Sequence, residues 1–182
     1  MSWLIAALLL PLQFAAVSIG AAGQGAHGPG RTSTALAVPV VRQTPAHCGQ
    51  AALTMVLLHY GAAPAALQEV ERAYDPVLRG SLITDLAVAA RRAGFTADVA
   101  TLTTDSLVAL LEEGVPPILL YQEGAGPVTV RHFGVVTGWD EARSAFTLND
   151  GGAKPRTARR DDLAKRWETA GSQALIVRRP AP

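Results

Sequence analysis

The stretch QTPAHCGQAALTMVLLHYG, residues 43–61, holds the only cysteine of the 182-residue chain, Cys48. Residues 51–58 are almost all apolar and contain neither glycine nor proline, which predicts a buried helix. Gly61 is placed to end that helix, as glycine often does just beyond a last turn. Pro45 cannot lie inside a helix, so the chain before Cys48 is extended or turned. Cys48 is therefore expected in the first helical turn.

A cysteine in that position has two opposing interpretations. Unpaired N–H groups and the positive end of the helix dipole stabilise a thiolate there and lower its pKa. A free cysteine is, however, more often a small, inert core residue. The surrounding sequence decides in favour of the reactive interpretation.

Two blocks of the sequence carry a recognisable pattern. The first block comprises Gln43, Cys48-Gly49, Ala51-Ala52-Leu53, Met55-Val56-Leu57 and Tyr60-Gly61, and the second comprises His132 to Asp140 with Leu148-Asn149-Asp150-Gly151. In this order they resemble the papain-like cysteine peptidases of the C39 type, which process bacteriocin leaders, and their free-standing relatives. The resemblance covers roughly Val38 to Val177. His47 stands where these peptidases often carry an acidic residue and Gly151 where they often carry proline, which leaves the substrate class open.

Composition bounds the organisation of the chain. Residues 3–22 carry no charge, and residues 1–22 are therefore predicted to be an export signal. An uncleaved membrane anchor is the competing interpretation, because the length just suffices to span a bilayer. Residues 23–34 are predicted to be a flexible linker and residues 35–179 the peptidase domain. An exported chain with one cysteine has no internal disulfide, so its thiol needs a role or deep burial.

The net charge of +1 implies no strong attraction to nucleic acid. The arginines near the C-terminus are offset by acidic residues and lack interleaved aromatics, which favours a solvated surface. The expected partner is a peptide or protein substrate, with membrane association only through the N-terminal segment. The sequence shows no ATP-binding loop and no transporter segments, so a link to an export machinery would require a separate chain.

The remaining pattern predicts an α+β fold, with helices first and strands later. An antiparallel sheet in the C-terminal half is expected to pack against the Cys48 helix. Ser81 and Thr104 are predicted helix caps. The further helices are predicted at 64–74, 82–93, 105–113 and 161–167, and the strands at 95–101, 118–121, 131–138, 144–149 and 174–177.

A base for the thiol is found by elimination among four histidines. His27 lies in the linker, and the side chain of His47 diverges from that of its neighbour Cys48. His59 lies about 16 Å along the same helix, at 1.5 Å per residue. His132 remains, at the start of an apolar strand. Neither Cys48 nor His132 has clustered partners at the spacing of metal ligands, so a site without metal or cofactor is expected.

An acid to orient His132 follows from strand register. If the turn between residues 138 and 144 is centred on Glu141, paired residue numbers add up to 282 and His132 faces Asp150. Side chains directly opposed in this way have Cβ atoms about 4.5–5.5 Å apart. A slip of one residue would replace Asp150 by Asn149, and papain-like enzymes also use asparagine in this role.

The resemblance implies that the Gln43 amide and the Cys48 backbone N–H hold the oxyanion of a tetrahedral intermediate. Cys48, His132, Asp150 and Gln43 are thus the candidate catalytic residues of a cysteine peptidase. Two alternatives stay open: an amidase or acyltransferase that uses the same residues, and a catalytically silent binding domain with the same fold.

Overall fold

The apolar run after Cys48 forms the helix that the sequence predicts. In this computed structural model, which describes residues 33–125 and 128–180, helix α1 spans Cys48–His59. Residues Ala51 to Leu57 are buried, except for the polar Thr54. Gly61 ends the helix at φ +76° and donates its N–H to the Leu58 carbonyl at 2.9 Å. Cys48 is the first residue of the helix, as expected.

Four further helices and seven strands complete the described part of the chain. The helices are α2 Pro64–Glu71, α3 Ile83–Arg92, α4 Thr104–Glu112 and α5 Arg160–Glu168. The strands are β1 Thr34–Ala35, β2 Thr96–Thr101, β3 Ile118–Ala125, β4 Val128–Asp140, β5 Ala145–Asn149, β6 Arg156–Arg159 and β7 Gln173–Arg178. The predicted α+β class is confirmed.

The strands form one antiparallel sheet in the order β2-β7-β3-β4-β5-β6, and β1 pairs with the far end of β4. Strand β4 has 13 residues and pairs with β3 along its first half and with β5 along its second half. It also packs against α1. Strand β4 therefore connects the cysteine helix to the rest of the sheet.

Alternation along β3 divides the core into two clusters, because successive side chains point to opposite faces. Ile118 and Leu120 pack with helices α1, α2 and α3. Leu119 and Tyr121 pack with helices α4 and α5. Helices thus cover both faces of the sheet.

Two predicted caps are wrong. Helix α4 is capped by Thr103, whose hydroxyl accepts the Ser106 N–H at 3.2 Å, rather than by Thr104. Helix α3 begins at Ile83 with Leu82 at its N-cap and has no side-chain cap, and the Ser81 hydroxyl instead accepts the Gln50 amide at 2.9 Å. Strand β6 was not predicted, since its sequence Arg-Thr-Ala-Arg is polar and becomes a strand only by pairing with β5.

The predicted register of the β4–β5 hairpin is also wrong. Val136 pairs with Leu148 and Val135 with Asn149, so these numbers add up to 284 rather than 282. A bulge between Val136 and Gly138 and a turn that lies between Asp140 and Ala145 produce the shift. Strand β5 ends at Asn149, so His132 has no directly paired residue on that side.

The predicted leader at 1–22 and most of the predicted linker, with His27, lie outside the described residues. Within residues 33–125 and 128–180, no helix has the length and apolar character needed to cross a membrane.

Candidate active site

Helix α1 and strand β4 bring Cys48 and His132 together across 84 residues of sequence. The α1 N-terminus is packed against β4 at Gly49, where an added Cβ would lie 3.3 Å from the Phe133 ring and 3.1 Å from Leu86. This close approach sets the Cys48 thiol beside the His132 imidazole, close enough for each side chain to shift the pKa of the other. His132 is 8% exposed and Cys48 is half-buried, so the pair is largely shielded yet reachable.

The environment favours the charged form of both groups. Burial alone would raise the pKa of the Cys48 thiol, but hydrogen bonds from His132 and from the Phe133 backbone lower it below its ordinary value. Burial alone would lower the pKa of His132, but its bonds to Cys48 and to the Asp150 backbone and the nearby Glu123 charge raise it. Both shifts move the pair toward a thiolate beside an imidazolium.

The second ring nitrogen of His132 is held by a backbone group. Its Nε2 lies 2.9 Å from the Asp150 carbonyl oxygen, which can only accept, so Nε2 carries a proton. The Asp150 carboxylate, which the predicted register placed against the imidazole, instead accepts from Arg156 Nε at 2.8 Å and from the Gly152 N–H at 3.2 Å. Asp150 thus contacts His132, but through its carbonyl.

Asn149, the alternative orienting residue, is engaged elsewhere. Its side chain is buried, and its Nδ2 donates to the Val38 carbonyl at 3.1 Å. This bond ties the segment before Cys48 to the end of β5. Asn149 therefore holds the scaffold of the site rather than the imidazole.

The other two described histidines point away from the thiol. The His47 ring stacks on Tyr74 with centroids 4.4 Å apart, and its Nδ1 lies 2.8 Å from the Pro45 carbonyl. His59, at the opposite end of α1, has its Nδ1 3.0 Å from the Ala37 carbonyl. The elimination that selected His132 is consistent with this geometry.

Gln43 is placed by the turn that follows β5. Its backbone N–H donates to the Gly151 carbonyl at 3.0 Å, and its side chain lies directly against the Gly151 Cα. A Cβ on Gly151 would lie 2.5 Å from Gln43 Oε1, and Gly151 has φ +82°. Glycine is therefore required here both for the backbone conformation and for the Gln43 side chain.

We expect Gly151→Ala to lower kcat by about ten- to a hundredfold, because it displaces Gln43, the side chain predicted to donate to the oxyanion. Gly114→Ala is the matched control, since Gly114 also has positive φ, +77°, but nothing lies within 4 Å of its Cβ position. Both variants carry the backbone strain, and only Gly151→Ala moves Gln43. Equal kcat values for the two variants would contradict the role of Gln43.

Glu123, Arg156 and Tyr121 also belong to the site, and the sequence did not single them out. Tyr121 pairs with His132 across β3 and β4, and the two rings meet edge to face with centroids 5.6 Å apart. Glu123 Oε2 lies 3.8 Å from His132 Nε2. Arg156 binds Asp150, Glu123 and the Tyr121 hydroxyl. Residues 121 and 123 lie on the same face of β3, so Glu123 could have been identified as a neighbour of His132 had the β3–β4 register been known.

A cavity of about 640 Å³ opens beside the pair and is lined by Cys48, His132 and Gln43. Its other ionisable side chains are Arg79 and Arg131. Its apolar lining comes mainly from Leu78, Leu82, Ile83, Leu120, Val130 and Phe133. Across the described residues, no three or more His, Cys, Asp or Glu side chains are grouped to hold a metal ion.

Solved structures of similar fold are peptidase domains. A double glycine motif protease from an AMS/PCAT transporter, in complex with its leader peptide, shares 22% identity over 81% of this chain and 95% of its own, with a TM-score of 0.62. The peptidase domain of Streptococcus ComA shares 19% identity over 78% and 98%, with a TM-score of 0.63. A Bacillus anthracis protein described as a C39-like peptidase shares 15% over 84% and 100%, with a TM-score of 0.68.

A search of curated proteins gives no significant match. The model of the Peptidase_C39 like family, in contrast, matches residues 35–175, most of the chain and nearly all of its described part. The resemblance seen in the two sequence blocks is thereby confirmed, and so is the papain-like α+β architecture of the C39 peptidases. The chain belongs to the Peptidase_C39 like family.

Proposed function

We propose that this chain is a cysteine peptidase that hydrolyses peptide bonds with Cys48 as nucleophile and His132 as its acid–base partner. The observation that carries the proposal is that Cys48 and His132 line the same cavity with Gln43, in surroundings that lower the pKa of the thiol and raise that of the imidazole. Such a pair is the activated nucleophile of papain-like enzymes.

The reaction follows from the positions of the four groups. The Cys48 thiolate attacks the scissile carbonyl carbon, and the resulting oxyanion is held by the Cys48 backbone N–H and the Gln43 amide. The His132 imidazolium then gives its proton to the leaving amine, which departs as the C–N bond breaks. Water, deprotonated by His132, releases the acyl group from sulfur. The Asp150 carbonyl keeps the His132 Nε2 protonated, which leaves Nδ1 to exchange protons with sulfur.

The substrate in this proposal is a peptide chain that enters the cavity beside Cys48. The apolar lining and the two arginines give it hydrophobic walls and no negative charge. One relative of the same fold was solved with a leader peptide bound. We extend that substrate class to this chain. Cleavage after small residues, such as a glycine pair, is the specificity to test first.

We further propose that the domain acts outside the cytoplasm. The support is the uncharged segment 3–22 followed by a linker rich in glycine. Cell fractionation with N-terminal sequencing of the recovered protein tests this proposal. A new N-terminus near residue 22 in the exported fraction supports a cleaved signal, an intact chain in the membrane fraction supports an anchor, and an intact chain in the cytoplasm contradicts export.

A peptide library tests the proposed reaction. The protein is incubated with the library before and after treatment with iodoacetamide, and the products are identified by mass spectrometry. Hydrolysed peptides that disappear after alkylation of Cys48 are the expected result. Products that join two peptides would indicate acyl transfer instead, and an unchanged library with an unreactive thiol would favour a binding domain.

A further inference from the structure

The negatively charged side chain that faces His132 Nε2 is Glu123 rather than Asp150. Both Asp150 carboxylate oxygens are already engaged, Oδ2 by Arg156 and Oδ1 by the Gly152 N–H. Glu123 Oε2 instead lies 3.8 Å from His132 Nε2, the same nitrogen that the Asp150 carbonyl accepts from. A small side-chain rotation would bring this oxygen within hydrogen-bond range of Nε2.

Arg156 connects the two acidic residues. Its Nε lies 2.8 Å from Asp150 Oδ2, and its Nη2 lies 3.2 Å from Glu123 Oε1 and 3.0 Å from the Tyr121 hydroxyl. One guanidinium therefore fixes both the turn whose carbonyl holds His132 and the carboxylate that faces it. Its planar fork of donors suits such a shared arrangement better than a lysine would.

Strand geometry aims Glu123 at this point. Tyr121 lies directly opposite His132 in the β3–β4 pair, and Glu123 lies two residues further along β3, on the same face. The Glu123 and Arg156 side chains are each 34% exposed, so solvent weakens their effect without abolishing it. The charged and titratable groups around His132 are Cys48, Tyr121, Glu123 and Asp150, with Arg156 behind the last three.

We propose that Glu123 and Arg156 are positioning residues of the peptidase: Glu123 supplies the negative charge that faces the His132 imidazolium, and Arg156 locks this carboxylate to the Asp150 turn. The proposal rests on the proposed function of Cys48 and His132. In this arrangement Asp150 holds His132 through its backbone carbonyl. The negative charge that stabilises the imidazolium comes from Glu123 on β3.

Glu123→Gln tests the charge with little change of shape. We expect kcat to fall about tenfold at unchanged KM, the lower end of what removal of an outer partner of a functional imidazole costs. Without the carboxylate the imidazolium is less stable, so the basic limb of the kcat/KM profile moves to lower pH. Glu112→Gln removes the same charge from an exposed site on α4 and is expected to leave rate and profile unchanged.

Asp150→Asn and Arg156→Gln separate the two acids. Asp150→Asn should move the basic limb less than Glu123→Gln does, because Asp150 meets His132 through its backbone carbonyl, which asparagine keeps, whereas Glu123 Oε2 faces Nε2 itself. Arg156→Gln should lower kcat more than Glu123→Gln, and Arg156→Lys should restore only part of that loss. Thermal unfolding of each variant is the control for retention of the fold.

The inference is overturned if Glu123→Gln keeps the wild-type profile, or if Asp150→Asn shifts it more. The wild-type protein separates this failure from that of the proposed function. If the wild type hydrolyses peptides and only the Glu123 result fails, the positioning role alone is lost. If the wild type hydrolyses no peptide and its Cys48 is alkylated like a free thiol, the peptidase proposal itself is lost.

Discussion

Cys48→Ala is expected to abolish peptide hydrolysis, with a loss of at least about a thousandfold in kcat/KM. Alanine keeps the backbone N–H at the start of α1 but removes the sulfur that we propose as the nucleophile. Because Cys48 is the only cysteine of the chain, the variant should also take up no iodoacetamide, whereas the wild type takes up one equivalent. Mass spectrometry of the intact protein and a peptide-cleavage assay measure the two losses.

The fold should survive this substitution. Cys48 is only half-buried, so the free energy of unfolding should change by about 1 kcal/mol or less. Thermal unfolding of both proteins provides the control. A Cys48→Ala variant that unfolds normally and still cleaves peptides at the wild-type rate would show that the nucleophile lies elsewhere.

His132→Gln should lower kcat/KM by about a thousandfold, because it removes the group that moves protons in both halves of the reaction. It should also slow the alkylation of Cys48 near neutral pH. The hydrogen bonding and charge of His132 lower the pKa of the thiol, so the pKa of Cys48 should rise when they are removed. A stopped alkylation assay at several pH values measures this change directly.

His47→Ala and His59→Ala are the matched controls for His132. His47 is the sequence neighbour of Cys48, but its ring stacks on Tyr74, and His59 lies at the far end of α1. Both variants should retain hydrolysis and rapid alkylation. If His47→Ala reproduced the loss seen in His132→Gln, the assignment of the base would be wrong.

The sequence predicts the thiol–imidazole pair because both residues stand at recognisable places in strong local patterns. Cys48 begins an apolar helix between a proline and a closing glycine, and these local signals fix its position without tertiary information. His132 could be chosen by elimination because the other histidines are excluded by the linker, by adjacency and by distance along a helix.

What surrounds His132 could not be predicted, because it depends on long-range register. The turn between Asp140 and Ala145 and the bulge near Gly138 set the register of β5 against β4, and the Asp150 carbonyl, not its carboxylate, reaches the imidazole. Arg156 lies on a polar strand that forms only by pairing with β5. Glu123 becomes relevant only once β3 and β4 are paired. None of these three features leaves a local trace in the sequence.

The helix caps show the same limit on a smaller scale. Thr103 and Thr104 are both good caps by residue type, and the backbone conformation of Thr103 decides between them. Ser81 lies one residue before the Leu82 N-cap of α3, and its hydroxyl bonds the buried Gln50 side chain instead of the helix. Burial of a polar group thus overrides a local preference.

The pH dependence of Cys48 alkylation in the wild-type protein tests the central claim most directly, because it measures the state of the thiol without any assumption about substrate. An imidazolium-paired thiolate predicts rapid alkylation that persists well below the pKa of a free thiol, about 8.5, and that is lost in His132→Gln. A rate that instead rises in a single step near the free-thiol pKa, unchanged by His132→Gln, would contradict the thiolate–imidazolium pair and with it the peptidase assignment.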